Sequence, residues 1–264
     1  MKKLLLSEIW IYPIKSLGGI RLKSSEVKEK GLELDRRWML VDERGNFLTQ
    51  RVFSSMALFK LTMIDDFLEV SFKGNQISIP KSSALNGSPI QSKIWDDSVI
   101  TYEVNPTISD WFSSMLGMNC RLVSFPEEGS RPVDAAYKIN DENVSLADGY
   151  PFLIIGQASL DDLNHRLKKP LPINRFRPNF VFTGGEPYQE DSWRNFKIGK
   201  NKFIGVKPCA RCVLTTVDQE TAEKGTEPLA TLASYRKREN KIYFGQNVVA
   251  VDHYEIYEGD EISF

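Results

Sequence analysis

Cys209 and Cys212 stand three residues apart, with Ala210 and Arg211 between them, in the run Lys207-Pro208-Cys209-Ala210-Arg211-Cys212-Val213-Leu214-Thr215-Thr216. A thiol pair of this spacing admits several chemistries. Structural zinc draws four ligands. The third cysteine, Cys120, lies in an apolar run, and the two histidines, His165 and His253, sit in unrelated contexts. A redox pair belongs at the start of a helix, whereas the β-rich run Val213 to Val217 predicts a strand. Two half-buried structural thiols are a third possibility. The fourth is one thiolate acting as a soft-metal ligand or nucleophile, favoured electrostatically by Arg211.

Cationic and hydroxyl groups recur at three other points where strands begin or end. Lys15 and Ser16 sit in a turn before Gly18-Gly19. Asp35-Arg36-Arg37-Trp38 leads into a strand, and so does Asn174-Arg175-Phe176-Arg177-Pro178-Asn179. Arginine offers a planar fork, lysine a point charge, and serine with backbone N–H groups fills in, which together suit a phosphate. Each group alone is what a solvated loop end carries. The chain has no Walker A pattern, no G-x-G-x-x-G, no H-E-x-x-H and no G-x-S-x-G. Hydrolase chemistry with a serine elbow and a histidine base has little to build on.

The elements that must position these groups are mainly strands. Ile9 to Tyr12 runs into Pro13, which ends a strand. Strand patterns follow at Ile20 to Val27, Arg37 to Val41, Phe47 to Thr49, Ala57 to Ile64, Phe67 to Phe72 and Gln76 to Ile79, spaced as in a barrel or strongly curved sheet. Ile108, Trp111, Phe112, Met115 and Leu116 fall on one helical face, so a helix is predicted from Pro106 to Leu116, stopped by Gly117. Further strands are predicted at Cys120 to Phe125, Phe152 to Ile155, Asn179 to Thr183, Phe196 to Ile198, Phe203 to Val206, Lys241 to Phe244 and Val248 to Val251. Helices are predicted at Ser159 to Lys168 and at Pro228 to Lys237, the latter capped by Thr226. The loop Pro126 to Pro132 marks a domain boundary.

Length and composition bound the rest. The 264 residues suffice for one large or two modest domains with a real core. At 41% hydrophobic and 26% charged the chain reads as globular, and a net charge of −1 gives no footprint for nucleic acid. Three cysteines make no disulfide framework. Met1 to Leu6 imitates a signal peptide, but Glu8 interrupts the apolar run, and no apolar stretch is long enough to span a membrane. A reducing cytoplasm is the expected location.

Five motifs, in order along the whole chain, carry a resemblance. Tyr12-Pro13-Ile14-Lys15-Ser16, Leu34 to Trp38, Ala147 to Ile154, Asn174 to Asn179 with Glu190 to Trp193, and Pro208 to Asp218 with Glu227-Pro228-Leu229 and Tyr235-Arg236 are similar to those of MOSC-domain proteins with an N-terminal β-barrel extension. That group includes the amidoxime-reducing components and their bacterial relatives. The resemblance implies a β-rich α/β fold with few helices, in which an N-terminal β-barrel-like domain (1–125) packs on a MOSC β-barrel (126–264). It implies a molybdenum cofactor, Mo-molybdopterin, with Cys212 as metal ligand. Lys15, Ser16, Arg36, Arg177, Asn179 and Arg211 would hold the pterin and its phosphate, with Gly149, Tyr150 and Ala210 contributing through their backbone. Cys212 and Asp148 would be the catalytic pair, Asp148 relaying a proton or ordering the cofactor.

The implied reaction is reduction of small N-hydroxylated compounds such as amidoximes, hydroxylamines and N-hydroxylated bases. With no C-x4-C-x2-C run, electrons are expected from a separate ferredoxin-, flavoprotein- or cytochrome-b5-like protein. Sulfur transfer on the cysteine, cofactor sulfuration or cofactor carriage is the alternative; a family-level association with pyridoxal phosphate also exists. Gly149 and Tyr150 stand where eukaryotic members carry small hydroxyl residues, and Ala210 also lacks a hydroxyl, so the resemblance implies backbone rather than side-chain contacts there.

Overall fold

The computed structural model describes residues 3–82 and 88–264; Met1 and Lys2, the start of the signal-like stretch, lie outside the described residues. Seven strands close into a barrel. Around the ring they are Phe152–Gly156, Phe180–Thr183, Leu4–Ile11, Glu261–Ser263, Asn195–Ile198, Asn201–Ala210 and Lys241–Ala250, which pairs back onto Phe152–Gly156. All neighbours are antiparallel except Phe152–Gly156 with Phe180–Thr183. Alternation, reset by a bulge between Leu6 and Glu8, explains the interior: Leu6, Ile9 and Ile11 of the first strand point inward and are fully buried. Phe152, Phe180, Phe196 and Phe203 fill the centre, with Phe152 and Phe180 stacked at 5.5 Å. The barrel is therefore packed solid, each of these side chains contributing roughly 1.5–3 kcal/mol by burial.

The ring takes its Leu4–Ile11 strand from the start of the chain and the other six from beyond residue 150. The remaining N-terminal residues build two sheets of their own and, as Ser24–Lys28 and Gly31–Leu32, share a third with Glu255–Tyr257. Of the first two, one runs Trp38–Val41, Arg121–Ser124, Asp97–Glu103, Pro89–Ile94; the other is the meander Lys60–Ile64, Phe67–Phe72, Asn75–Pro80. Helix α1 (Pro106–Leu116) shares a core with them through Phe59, Phe72 and Phe112. It starts where Asn105 accepts the Thr107 N–H at 2.8 Å and stops where Gly117 turns left-handed.

Some expectations change. The hairpin Pro89–Ile94 to Asp97–Glu103 gave no clear strand pattern because its inward face carries hydroxyls: Ser92 and Thr101, both fully buried, hydrogen-bond each other at 2.7 Å. Helix α2 (Gln157–Arg166) begins and ends two residues earlier than the predicted span. The helix expected from Pro228 to Lys237 is only α3 (Leu229–Ala233), and Thr226 does not cap it by its side chain; its carbonyl accepts the Ala230 N–H. Arg236 is drawn to Asp191 and the Tyr243 carbonyl, and Lys237–Arg238 pairs with the start of barrel strand Lys241–Ala250. The predicted strand after Cys212 is instead a 3-10 turn, Val213–Thr216. Thr215 and Thr216 each donate a hydroxyl back three residues, to the carbonyls of Cys212 (2.9 Å) and Val213 (2.8 Å), so their β-branching does not set the local structure.

Candidate functional site

Five stretches far apart in sequence converge at one end of the barrel. After Pro13 the chain dives inward rather than turning in solvent. Lys15 and Ser16 are each 5% exposed, and the Lys15 N–H bonds the Trp38 carbonyl at 2.7 Å. Asp35, fully buried, ties three of the stretches together. It accepts from the Tyr12 N–H (2.7 Å), the Asn179 amide (3.0 Å) and the Arg36 guanidinium (2.6 Å). Arg36 and Arg177 both lie on the ring of Tyr12, at 4.4 and 4.1 Å from its centroid. Ser16, Arg36 and Arg177 all have φ between 50° and 66°. Non-glycine residues seldom adopt this conformation, and clusters of it mark sites where geometry is held for a purpose.

The Cys212 stretch is anchored from below. Strand Asn201–Ala210 carries Cys209 and Ala210 to its end, and Cys212 begins the 3-10 turn. Arg175, 5% exposed, bonds the Thr215 carbonyl (3.2 Å) and Asp218 (2.7 Å), so it braces this turn rather than facing the site. Arg211 donates to the Phe176 carbonyl (2.7 Å) and to the Cys209 sulfur (2.9 Å), while its Nε is buried without a partner.

The Asp148 stretch hangs on Arg131. That buried guanidinium bonds the carbonyls of Ser145 (2.9 Å), Ala147 (2.5 Å) and Asp148 (3.3 Å), and its Nε reaches Asp97. Asp148 then meets Lys15 Nζ at 2.6 Å. Lying in the cleft opposes its ionisation. The Lys15 charge and hydrogen bond, the Arg51 charge and the Trp95 N–H outweigh that and hold its carboxyl below the ordinary range. Burial lowers the Lys15 pKa, and the pairing with Asp148 opposes the shift. Burial together with neighbouring Arg36 pushes Arg177 down to about 10, still charged at neutral pH.

These stretches enclose a cavity of about 300 Å³. All eleven residues singled out from sequence line it: Lys15, Ser16, Arg36, Asp148, Gly149, Tyr150, Arg177, Asn179, Ala210, Arg211 and Cys212. They do not all face it with free groups. The Asn179 amide is already used by Asp35, the Trp10 carbonyl and the Leu153 N–H, so it fixes the frame. Cys209 also lines the cavity.

Sequence patterns did not single out Arg51, Trp95 or Lys207, which line the same cavity. Arg51 stacks on Trp95 at 4.0 Å, and Trp95 Nε1 donates to Asp148 at 3.2 Å. Lys207 sits over the Tyr137 ring at 3.8 Å. Six cations and one carboxylate thus surround the space. Among the described residues no group of three or more His, Cys, Asp or Glu could hold a metal by itself, and no helix is long and apolar enough to cross a membrane.

A family model described as MOSC domain matches residues 141–263, and one described as MOSC N-terminal beta barrel domain matches residues 3–119. The chain is 36% identical to mitochondrial amidoxime-reducing component 1 of Mus musculus over 242 residues, covering 88% of this chain and 71% of that protein. It is 33% identical to the Homo sapiens protein of the same name over 277 residues, covering 97% and 82%. It is 30% identical to molybdenum cofactor sulfurase of Oryza sativa subsp. japonica over 277 residues, covering 97% of this chain but 33% of that protein.

Proposed function

Since the chain belongs to the MOSC-domain family with an N-terminal MOSC β-barrel domain, we propose that it is a molybdenum-cofactor-dependent reductase of N-hydroxylated compounds. The residues fit the group. Cys212 and Cys209 line the cavity, and among the described residues no cluster of three or more His, Cys, Asp or Glu is present, which suits a metal that arrives with most of its ligands and takes one thiolate from the protein. The cationic lining suits an anionic pterin phosphate. The unpartnered Nε of Arg211 is a buried donor awaiting an acceptor.

Cys212 would ligate the metal. Lys15, Arg36, Arg177 and Arg211 would hold the phosphate and pterin, with the Ser16 hydroxyl beside them, and Asn179 would hold the frame through Asp35. Gly149, Tyr150 and Ala210 would contribute backbone groups. When bound, the cofactor would supply two-electron reducing chemistry for an N–OH group. The N–O bond breaks, two electrons from a separate donor protein and two protons enter, and the oxygen leaves as water. Asp148 is held too acidic to deliver a proton near neutrality. Its role is to fix Lys15 and to accept a hydrogen bond from what lies beside it.

The observation that carries this reading is the convergence of Cys212 and the cationic groups on one cavity. The test is metal and pterin analysis of protein made in a cofactor-competent host, followed by benzamidoxime reduction with reduced methyl viologen. About one molybdenum per chain, lost in Cys212→Ser, and turnover to the amidine are expected; a fully loaded but inactive protein overturns the reading. The sulfurase relative and the second thiol, Cys209, in the same cavity favour one alternative, sulfur or cofactor handling. A persulfide mass shift on Cys212 would support it.

A further inference from the structure

Trp95 is the first residue of a two-residue hairpin turn, since Ile94 pairs with Asp97. Its φ is +53°. Such turns ordinarily place glycine or asparagine at a positive φ, and a bulky residue there is a conformational outlier. The strained tryptophan is not hidden: it is 36% exposed and lines the cavity. Phe47 packs against it edge to face at 4.7 Å, and its Nε1 is fixed on Asp148 at 3.2 Å. Strain retained at a cavity wall points to use of the side chain there.

What lies on the indole identifies the guest. The Arg51 guanidinium stacks 4.0 Å from the ring centroid, with one nitrogen 3.6 Å from the Asp148 carboxylate. A guanidinium is a flat, conjugated N–C–N group, and so is an amidoxime or an N-hydroxyguanidine. The contact to Asp148 is longer than a hydrogen bond, and Arg51 Nε is buried without a partner. Leaving the shelf would therefore relieve one unsatisfied N–H.

We infer that Trp95 is a specificity-determining residue: its indole face, with Asp148 beside it, is the shelf for a flat conjugated N-hydroxylated substrate, in the slot Arg51 now fills. This rests on the reductase reading above, which sets the substrate class, and adds the residue that selects within it. Small N–OH compounds without a flat group gain nothing from the shelf.

Trp95→Gly removes the ring and suits the backbone, and Trp95→Phe keeps a flat ring. Loaded protein is assayed with reduced methyl viologen on benzamidoxime and on hydroxylamine. Trp95→Gly is expected to raise KM for benzamidoxime by about tenfold, the size of an aromatic stacking interaction, while KM for hydroxylamine stays within about twofold. Trp95→Phe stays within about threefold of the parent on both substrates, and the Tm of Trp95→Gly is not lowered. Equal changes on both substrates, or none, overturn the proposal. Calorimetric binding of benzamidoxime to loaded protein without a donor gives a second readout, with the Kd rising in the same ratio in Trp95→Gly. If the loaded protein reduces neither compound, the reductase reading fails, and the binding ratio alone decides whether Trp95 is the shelf.

Discussion

Arg36 donates its Nη2 hydrogen bond to the backbone carbonyl of Arg177 at 3.1 Å. Residues 141 positions apart are thereby joined into one unit, both guanidiniums on the ring of Tyr12. Two like charges this close repel, and the electron-rich face they share offsets part of that cost.

Tyr12 is therefore expected to position both arginines through its ring and not its hydroxyl, which is buried without a partner. Tyr12→Phe should leave pyrophosphate binding by cofactor-free protein unchanged. Tyr12→Leu should weaken it by about 1 kcal/mol, roughly fivefold, from loss of the cation–π contacts. Isothermal calorimetry reads both; equal loss in the two variants contradicts the assignment.

Asp148→Asn should lower Tm at neutral pH, because Lys15 keeps a buried charge with its partner removed. The Asp148 side chain is 61% exposed, so the loss is discounted to about 1–2 kcal/mol. The folded pKa of Lys15 is already depressed, so the deficit shrinks as pH rises and the lysine deprotonates. In the parent chain the Asp148 contribution is complete above the ordinary carboxylate range and disappears only on acidification below it. Melting curves from pH 2 to 10 check both statements.

The turn after Cys212 should depend on its threonine hydroxyls. Thr215→Val keeps shape and β-branching but removes the bond to the Cys212 carbonyl, costing about 1 kcal/mol. Cys212 should then react faster with iodoacetamide, as followed by peptide mass spectrometry. An unchanged rate would mean that Arg175 and the Thr216 hydroxyl hold the turn without the Thr215 bond.

Asp218 provides an acid-side probe of that brace. Backbone N–H groups of Glu220 and Thr221, with Arg175, outweigh partial burial and bring its pKa to about 2. A depressed carboxylate stabilises the fold above its unfolded value, and the contribution is lost as pH falls through about 2. Its side chain is 34% exposed, so about 1–2 kcal/mol is expected after allowing for solvent screening. Asp218→Asn should flatten the decline in unfolding free energy from chemical denaturation between pH 4 and 2 by about that amount.

Candidate groups were legible in sequence where residue type marked short runs: the Cys209–Cys212 pair, Lys15-Ser16, and the arginines of Arg36-Arg37 and of Arg175 to Arg177. Which member of each run lines the cavity was not a local signal; the family resemblance, not spacing, pointed to Cys212, Arg36 and Arg177. Trp95 and Arg51 could not be picked out. Nothing local distinguishes a cavity-lining tryptophan from a solvent-facing one in a hairpin turn, and Arg51 acquires a role only through stacking on it.

The sequence by itself determined helix α1, from its 3.6-residue apolar spacing and its Gly117 stop, and strand Phe67–Phe72, whose span matches its pattern. Both depend on residues within a few positions of each other. Only the tertiary structure decided that Leu4–Ile11 pairs with Phe180–Thr183 and Glu261–Ser263 to close the barrel. It also decided that the threonines after Cys212 bend the chain and that the Asn179 amide is consumed by Asp35. Strand partners and buried hydrogen bonds are chosen by what the closed sheet brings near, sometimes from the far end of the chain, and a local pattern carries no record of that choice.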